Sequence, residues 1–396
     1  MSRRPTAPVG TVGAVVVGGD YQGLGIARSL GRHGVPVVVL DDELSIARAS
    51  RYVTRNVRVD DLLDPVRALE ALCRLGPSLP SPGWVLYPTR EETVALVSQH
   101  RQLLGQWYRV PTPDFSVIST AWDKRATYRL AEALDIPAPR CWFPASAADL
   151  EAIPLDEPVI VKPAIKEHFI YETKVKAWRA DDLAQLRQVY RAALEVVPAD
   201  EVIVQELVPG AGDAQVAYCA LFKDGAPLAD MTVTRLRQHP SDFGRASTFV
   251  ETADHPELAD LAGRFLKEVG FHGLVEVEFK RDPRDGRPKL LDVNARTWGY
   301  HTLGRAAGVD FAHLLYLDQL GSEVSPVTAR PGVRWARLAT DVPNAVRDVR
   351  RGRLRGRDYL RTLRHIDTEA VFSPSDPAPW LLELALLPYL AVHRGL

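Results

Sequence analysis

The side chains best suited to chemistry stand in two short runs near residue 280. Glu276 and Glu278 alternate with Val275, Val277 and Phe279, and further on Asp292 and Asn294 alternate with Leu291 and Val293. Side chains two apart along a strand share a face, so each run offers one polar and one apolar side. Between them, Asp282-Pro-Arg-Asp-Gly286 carries turn residues: Pro presets φ and Asp-Gly favours a tight reversal. The spacing predicts an antiparallel hairpin; if its two polar faces coincide, carboxylates and an amide oxygen converge on one patch, with Arg296 just past its end. Converging carboxylates repel one another unless a cation lies between them. Mg²⁺ takes one or two protein carboxylates and completes its octahedron with water and phosphate oxygens. A solvated face on an ordinary hairpin would show the same alternation, so the hairpin alone leaves both readings open.

Other candidates are single residues at strand ends. The apolar run Pro158-Val-Ile-Val-Lys-Pro163 delivers one lysine, Lys162. Arg235 and Arg237 share a strand face, which suits either a clamp on a substrate carboxylate or a solvated strand end. Thr89, Arg90 and Glu91 follow the run Trp84–Tyr87, at the sheet edge where open α/β folds bind ligands; capping of a helix is the other reading. No Ser-His-Asp or Cys-His arrangement can be argued, and His239 and His301 read as structural.

The elements that must position these groups follow in chain order. Ala14–Val17 is a buried-strand run, succeeded by glycine-rich Gly18-Gly-Asp-Tyr-Gln-Gly-Leu-Gly25, a helical pattern closed by Gly34, and a second strand ending at Asp41. This is a βαβ unit. Its turn suits an anion at a helix N-terminus, and Asp41 lies where a ribose-binding acid would. The glycine spacing is nevertheless not G-x-G-x-x-G, so an NAD(P) site and a structural turn both stay open. Pro111 and Pro113 mark a linker. Helices are predicted from about Asp123 to Leu134 and from Glu257 to Val269. Past residue 325, Arg347–Arg364 is dense in arginine, and Trp380–Val392 is apolar, with Glu383 its one charge and Pro388 a kink or stop. Trp380, Leu384 and Leu387 fall on one helical side, which favours docking on the protein itself over contact with a membrane.

A chain of 396 residues accommodates two or three domains, and its net charge of −1 gives no nucleic-acid footprint. Cys73, Cys141 and Cys219 are far apart and fit neither a disulfide framework nor metal-ligand spacing, which points to a reduced interior. The N-terminus lacks the apolar core of a signal peptide, and no apolar run reaches the roughly 20 residues that span a bilayer. The expectation is a soluble cytoplasmic protein of open oligomeric state.

Taken in order, Gly18–Gly25, Trp122-Asp-Lys124, Val159-Ile-Val-Lys-Pro163, Ile203-Val-Gln-Glu-Leu-Val-Pro-Gly210, Val275-Glu-Val-Glu-Phe279 and Leu291-Asp-Val-Asn-Ala-Arg296 resemble the ATP-grasp superfamily. The nearest likeness is to its carboxylate–amine ligases, relatives of D-aspartate ligase and carbamoyl-phosphate synthase, and it covers about residues 12–325. The resemblance implies an α/β plus α+β chain: a Rossmann-like pre-ATP-grasp domain over 1–115, a two-lobed ATP-grasp domain over 116–325 (smaller lobe about 123–205, larger lobe about 206–325) and a short C-terminal extension over 326–396. It implies ATP and Mg²⁺ as cofactors, with Mn²⁺ able to replace the metal, and small-molecule carboxylate and amine substrates. Lys124 and Lys162 would meet the phosphates, the backbone of Gln205, Glu206, Leu207 and Val208 the adenine, and Asp213 the ribose. Glu278, Asp292 and Asn294 would hold the metal, and Arg296 the transferring phosphoryl group, with Glu276 only a neighbour.

One feature departs from the family. Lys162 to Ala177 contains no glycine, where many members have a glycine-rich phosphate loop; Lys166, His168, Lys174 or Lys176 are candidates to replace it. The implied reaction phosphorylates a carboxylate to an acyl phosphate, which an amine (or a thiol) attacks, releasing ADP and phosphate. An NAD(P)-dependent oxidoreductase would leave the acidic hairpin and both lysines idle. A non-catalytic nucleotide-binding scaffold would leave the lysine–carboxylate set unexplained.

Overall fold

The computed structural model describes residues 11–173, 175–210, 212–240, 244 and 246–394, apart from the side chains at 170–171 and 390–394. The chain begins with a parallel five-stranded sheet in the order Arg55–Arg58, Val37–Asp41, Ala14–Val17, Trp84–Pro88, Tyr108–Arg109. Its central strands are buried along their whole length, as sheets with helices on both faces require. Strand order reverses beside Ala14–Val17, so the carboxyl ends of Ala14–Val17 and Trp84–Pro88 open a crevice. Gly18 leaves the first of these ends at φ +96, and a Cβ there would lie 2.2 Å from Thr89 Oγ1.

Two antiparallel sheets follow. The smaller has the order Cys141–Trp142, Val202–Glu206, Val159–Pro163, Trp178–Ala180. Helix Leu183–Leu194 covers it with Leu186, Tyr190 and Ala193, which join Val159, Val161, Val202 and Val204 in a core of their own. The larger sheet runs Pro288–Asn294, Gly273–Arg281, Gln215–Lys223, Ala226–His239, Ala246–Ala253, Arg334–Ala336, Thr368–Glu369. Helix Pro256–Glu268 packs on one of its faces through Leu258, Ala262, Phe265 and Leu266. The opposite face, with Ala217, Cys219 and Met231, shares a core with Leu24 and Ile26 of helix Tyr21–Arg32 and with Tyr87 of the first sheet.

The segment past residue 325 does not stand apart. Arg334–Ala336 pairs antiparallel with Ala246–Ala253, and Thr368–Glu369 lies parallel beside it. The apolar tail forms helix Ala378–Arg394, which packs against Ile46–Ala49 of the first domain rather than on an ATP-grasp lobe. Its inward side also differs from the expected one. Leu384 is 42% exposed, whereas Glu383 is buried and pairs with Arg337 at 3.2 Å. The lone charge sets the rotation of the helix, because a buried carboxylate needs a cation. Among the described residues no helix is long and apolar enough to cross a membrane.

A second buried ion pair pins this tail. Arg28 Nε meets Asp376 Oδ2 at 2.9 Å, with both side chains nearly inaccessible, and the same guanidinium donates to the Val371 and Asp376 carbonyls. Removing one partner strands a buried charge. Asp376→Ala is expected to lower the free energy of unfolding by about 3–5 kcal/mol, read as a leftward shift of the urea transition; an unshifted midpoint would contradict it.

Candidate active site

The hairpin sets the geometry. Gly273–Arg281 and Pro288–Asn294 pair with Glu276 opposite Asn294 and Glu278 opposite Asp292, so the four polar groups share one face. Val275, Val277, Phe279 and Val293 point the other way, into the core under helix Pro256–Glu268. A bulge after Glu278 makes one correction: Leu290, not Leu291, takes the buried position. The extra residue frees the Leu291 carbonyl, which accepts from Tyr128 Oη at 2.8 Å. A bulge beside a site commonly re-aims a strand in this way.

Cations crowd this acidic face from every side. Lys124 Nζ donates to Asp292 Oδ1 at 2.5 Å, and Arg235 lies 3.2 Å from Glu278. Lys166 reaches Glu91 at 3.0 Å and Asn294 Oδ1 at 3.4 Å, while Arg296 Nε meets Glu91 at 2.8 Å. Lys162, 9% exposed, has no acid beside it; its ammonium donates to Tyr128 Oη at 2.7 Å. Burial, aided by the like charge of Lys124, pushes Lys162 down to about 7. Burial also lowers half-buried Lys176 to about 8, against the pull of Glu278. Burial would raise Asp292, but Lys124 and Lys166 overcome it and hold the group far below the ordinary range. Glu276 goes the other way, up to about 7, through burial and the nearby charge of Glu278; it accepts from Tyr300 Oη and from Asn294 Nδ2.

The sequence-predicted residues divide into those brought to this face and those held elsewhere. Lys124, Lys162, Arg235, Glu278, Asp292, Asn294 and Arg296 converge. Of the three sheet-edge candidates only Glu91 joins them. Thr89 donates to the Val17 carbonyl and Arg90 pairs with Asp41 and Asp42. Arg237 does not join them either. Its guanidinium holds buried Asp341 through two bonds, 2.9 and 2.8 Å, donates to Thr362 and stacks on Phe249. A strand irregularity between Arg235 and Arg237 gives the two arginines separate partners.

At the strand Val202–Glu206, the Gln205 amide donates to Cys141 Sγ, and the Glu206 carboxylate is spent on Arg284, Lys289 and the Arg140 N–H. The Glu206 and Leu207 amides bond the Arg140 and Pro158 carbonyls, and Lys280 caps the Val208 carbonyl. That leaves Val208 N–H as the amide of this stretch that no described group takes. Asp213 is exposed beside it. Lys174 lies outside the described residues, and His168 pairs with Glu201 at 2.8 Å.

Tyr128 and Tyr300 were not foreseen. Tyr128 sits one helical turn past Lys124, a spacing that puts both on one side of helix Lys124–Ala133, so that signal was readable. Tyr300 comes from a loop with no readable pattern. At Asp41, where an NAD(P) site would have its ribose-binding acid, one carboxylate oxygen takes Gly19 N–H at 2.5 Å and the other Glu43 N–H, bonds that shape the acid's own turn. His301 is buried with its pKa lowered to about 4 by that burial, a structural histidine.

The donor set fits Mg²⁺ with a polyphosphate. Among the described residues no group of three or more His, Cys, Asp or Glu could hold a metal unaided. Glu278 and Asp292 form a carboxylate pair, each now bearing a basic side chain where a cation belongs. Mg²⁺ needs no more from protein when phosphates and water complete its shell, and the surplus lysines suit the phosphates.

A family model described as ATP-grasp in the biosynthetic pathway with Ter operon matches residues 221–340. D-aspartate ligase of Enterococcus faecium (strain Aus0004) is 25% identical over 297 residues, 71% of this chain and 70% of that one. Among solved structures, the L-amino acid ligase from Bacillus licheniformis superposes with a TM-score of 0.61 at 16% identity, covering 82% of this chain and 78% of that one. The biotin carboxylase domain of Hydrogenobacter thermophilus 2-oxoglutarate carboxylase, in complex with MgADP, gives 0.64 at 13% identity, covering 81% and 73%. The three-sheet fold is that of these ligases and carboxylases, and residues 221–340 carry the likeness to an ATP-grasp family.

Nucleotide binding should therefore carry a proton signature. A polyanion beside Lys162 and Lys176 restores their charge, so at pH 8, above the depressed value of Lys162, binding of ATP is expected to take up protons. At pH 6 both lysines are already charged and the uptake should shrink. Calorimetry in buffers of different ionisation enthalpy reads this directly; uptake that is independent of pH, or unaltered in Lys162→Met, would contradict it.

Proposed function

We propose that the protein is an Mg-ATP-dependent ligase that activates a carboxylate as an acyl phosphate for attack by an amine, releasing ADP and phosphate. A thiol acceptor is the narrower variant. The observation that carries the reading is the pairing of one acidic strand couple, Glu278 and Asp292, with more buried cations than the chain itself neutralises. The resemblance to D-aspartate ligase and to an L-amino acid ligase supports amino-acid-like substrates. The cytoplasm, where ATP is plentiful and three free cysteines stay reduced, is the compartment this reading favours.

Glu278, Asp292 and the Asn294 oxygen would hold Mg²⁺, which offsets phosphate charge when bound. Lys124 and Lys162 would hold the polyphosphate, Val208 N–H would meet the adenine edge, and Asp213 would serve the ribose. An oxygen of the substrate carboxylate attacks the terminal phosphorus and the bond to the bridging oxygen breaks, so ADP leaves with that electron pair. Arg296 and Arg235 neutralise the charge that spreads over the transferring group, the kind of fixed electrostatic support that dominates phosphoryl transfer. The amine nitrogen then forms its bond to the acyl carbon, phosphate departs, and the nitrogen loses a proton. Glu276, titrating near neutrality beside Tyr300, is able to accept a proton at this face.

The test is an ADP-release assay with Mg-ATP against a matrix of carboxylates and amines. ADP and phosphate should appear only when both substrates are present; AMP as the nucleotide product would refute the acyl-phosphate route. With the active pair in hand, Glu278→Gln and Asp292→Asn should each lower kcat by on the order of 10²-fold or more, with unchanged melting curves. Either variant turning over near the wild-type rate would remove that residue from the metal site.

A further inference from the structure

We propose that the paired helices Leu338–Arg350 and Gly356–Leu363 form a docking surface for an anionic lipid bilayer. Helix Leu338–Arg350 turns Ala345 and Asn344 toward the protein and leaves Val342, Val346 and Val349 exposed. The spacing i, i+4, i+7 puts these three valines on one outward stripe. Leu360 on the second helix is 60% exposed, among the most accessible large apolar side chains of the molecule. Packing on the chain's own sheet explains none of these four.

Arginines frame the apolar side chains. Residues 347–364 hold eight arginines, no lysine and two aspartates, Asp348 and Asp358, a surplus of six positive charges within a chain whose net charge is −1. All eight are exposed. Among the described residues Arg347, Arg350, Arg351, Arg355 and Arg364 meet no carboxylate. Charge of this density, with five of its arginines meeting no carboxylate among the described residues, complements an anionic surface within a Debye length.

The two helices are fixed in place rather than loose. Arg237 bonds Asp341 of the first helix and Thr362 just ahead of the second helix's end, and its guanidinium lies over the rings of Phe249 and Tyr359. One side chain of the large sheet thus joins both helices, at two residues' distance from Arg235 of the catalytic cleft. The surface therefore arrives at a partner already shaped.

A bilayer fits better than a nucleic acid. Phosphate binding to a nucleic acid needs the arginines alone, and would leave four exposed Val and Leu side chains without a use. An interfacial helix uses both: apolar side chains enter the acyl boundary while arginine stems follow them and keep their heads among the lipid phosphates. The inference is independent of the ligase reading.

Flotation of the full chain with vesicles tests it. The protein should float with phosphatidylglycerol/phosphatidylcholine vesicles, stay behind with phosphatidylcholine alone, and be released at about 0.5 M salt. Val346→Asp combined with Leu360→Asp should weaken binding at least about tenfold, as should Arg350→Glu combined with Arg351→Glu, with melting curves that superimpose on the parent's. Should the valine variant fail to fold, Leu360→Asn alone carries the same test at the exposed site. No binding to anionic vesicles overturns the proposal. So does unimpaired binding by the apolar variants, or tighter binding to duplex RNA than to vesicles at equal salt.

Discussion

A buried ammonium that the chain does not neutralise is the constraint on which the site depends. Lys162 stands next to the end of a fully buried strand, and among the described residues its ammonium bonds a phenol, Tyr128, rather than a carboxylate. Burying an unpaired charge costs several kcal/mol unless the group gives up its proton or gains an anion. The fold does not relieve that cost internally, although carboxylates are close: Asp292 is taken by Lys124, Glu278 by Arg235, and Glu91 is shared by Lys166 and Arg296. Each acid is already committed, so the remaining positive charge is available to a ligand. A site in this condition is poised for a polyanion and is least stable without one.

The division of cores follows from the same requirement. Helix Tyr21–Arg32 of the first domain and the inner face of the larger sheet share one apolar cluster, so these two parts behave as one body. The smaller sheet has a separate core beneath helix Leu183–Leu194. Helix Lys124–Ala133 packs Ala131 in the larger sheet's own core, whereas polar groups cross from the smaller sheet to the hairpin, Glu206 meeting Arg284 and Lys289. Such contacts tolerate rearrangement better than interdigitated side chains do.

The hairpin was legible because a strand has a period of two, and a polar residue at each second position cannot hide. The turn residues of Asp282–Gly286 made the reversal visible, but the register that sets Glu278 opposite Asp292 came only with the fold. Lys162 stood out at the end of its apolar run, and Lys124 was visible only through the order of short motifs. What escaped depends on long-range packing. The bulge that exchanges Leu290 for Leu291 leaves no mark in the alternation. Arg235 and Arg237 look equivalent until Asp341, a hundred residues on, claims one of them. Asp41 resembled a ribose ligand because sequence spacing does not show that Gly19 N–H already fills its carboxylate. The tail misled for a similar reason: hydrophobic periodicity pointed to Leu384, while pairing with Arg337 buried Glu383 instead.

Two carboxylates on one strand face, two residues apart, illustrate how environment separates roles. Burial acts on both Glu276 and Glu278. For Glu278, Arg235 and Lys176 outweigh burial and keep the carboxylate ionised. For Glu276, the charge of Glu278 adds to burial and carries it up to about 7, with Tyr300 and Asn294 donating to its oxygens. A carboxylate that is to offset a divalent cation's charge must be ionised at neutral pH, which suits Glu278 and suits Glu276 only in part. A group that moves a proton must titrate near neutrality, which Glu276 does and Glu278 does not. Alternation along a strand places both side chains over the same cleft, and their neighbours on adjacent strands assign different chemistry to each.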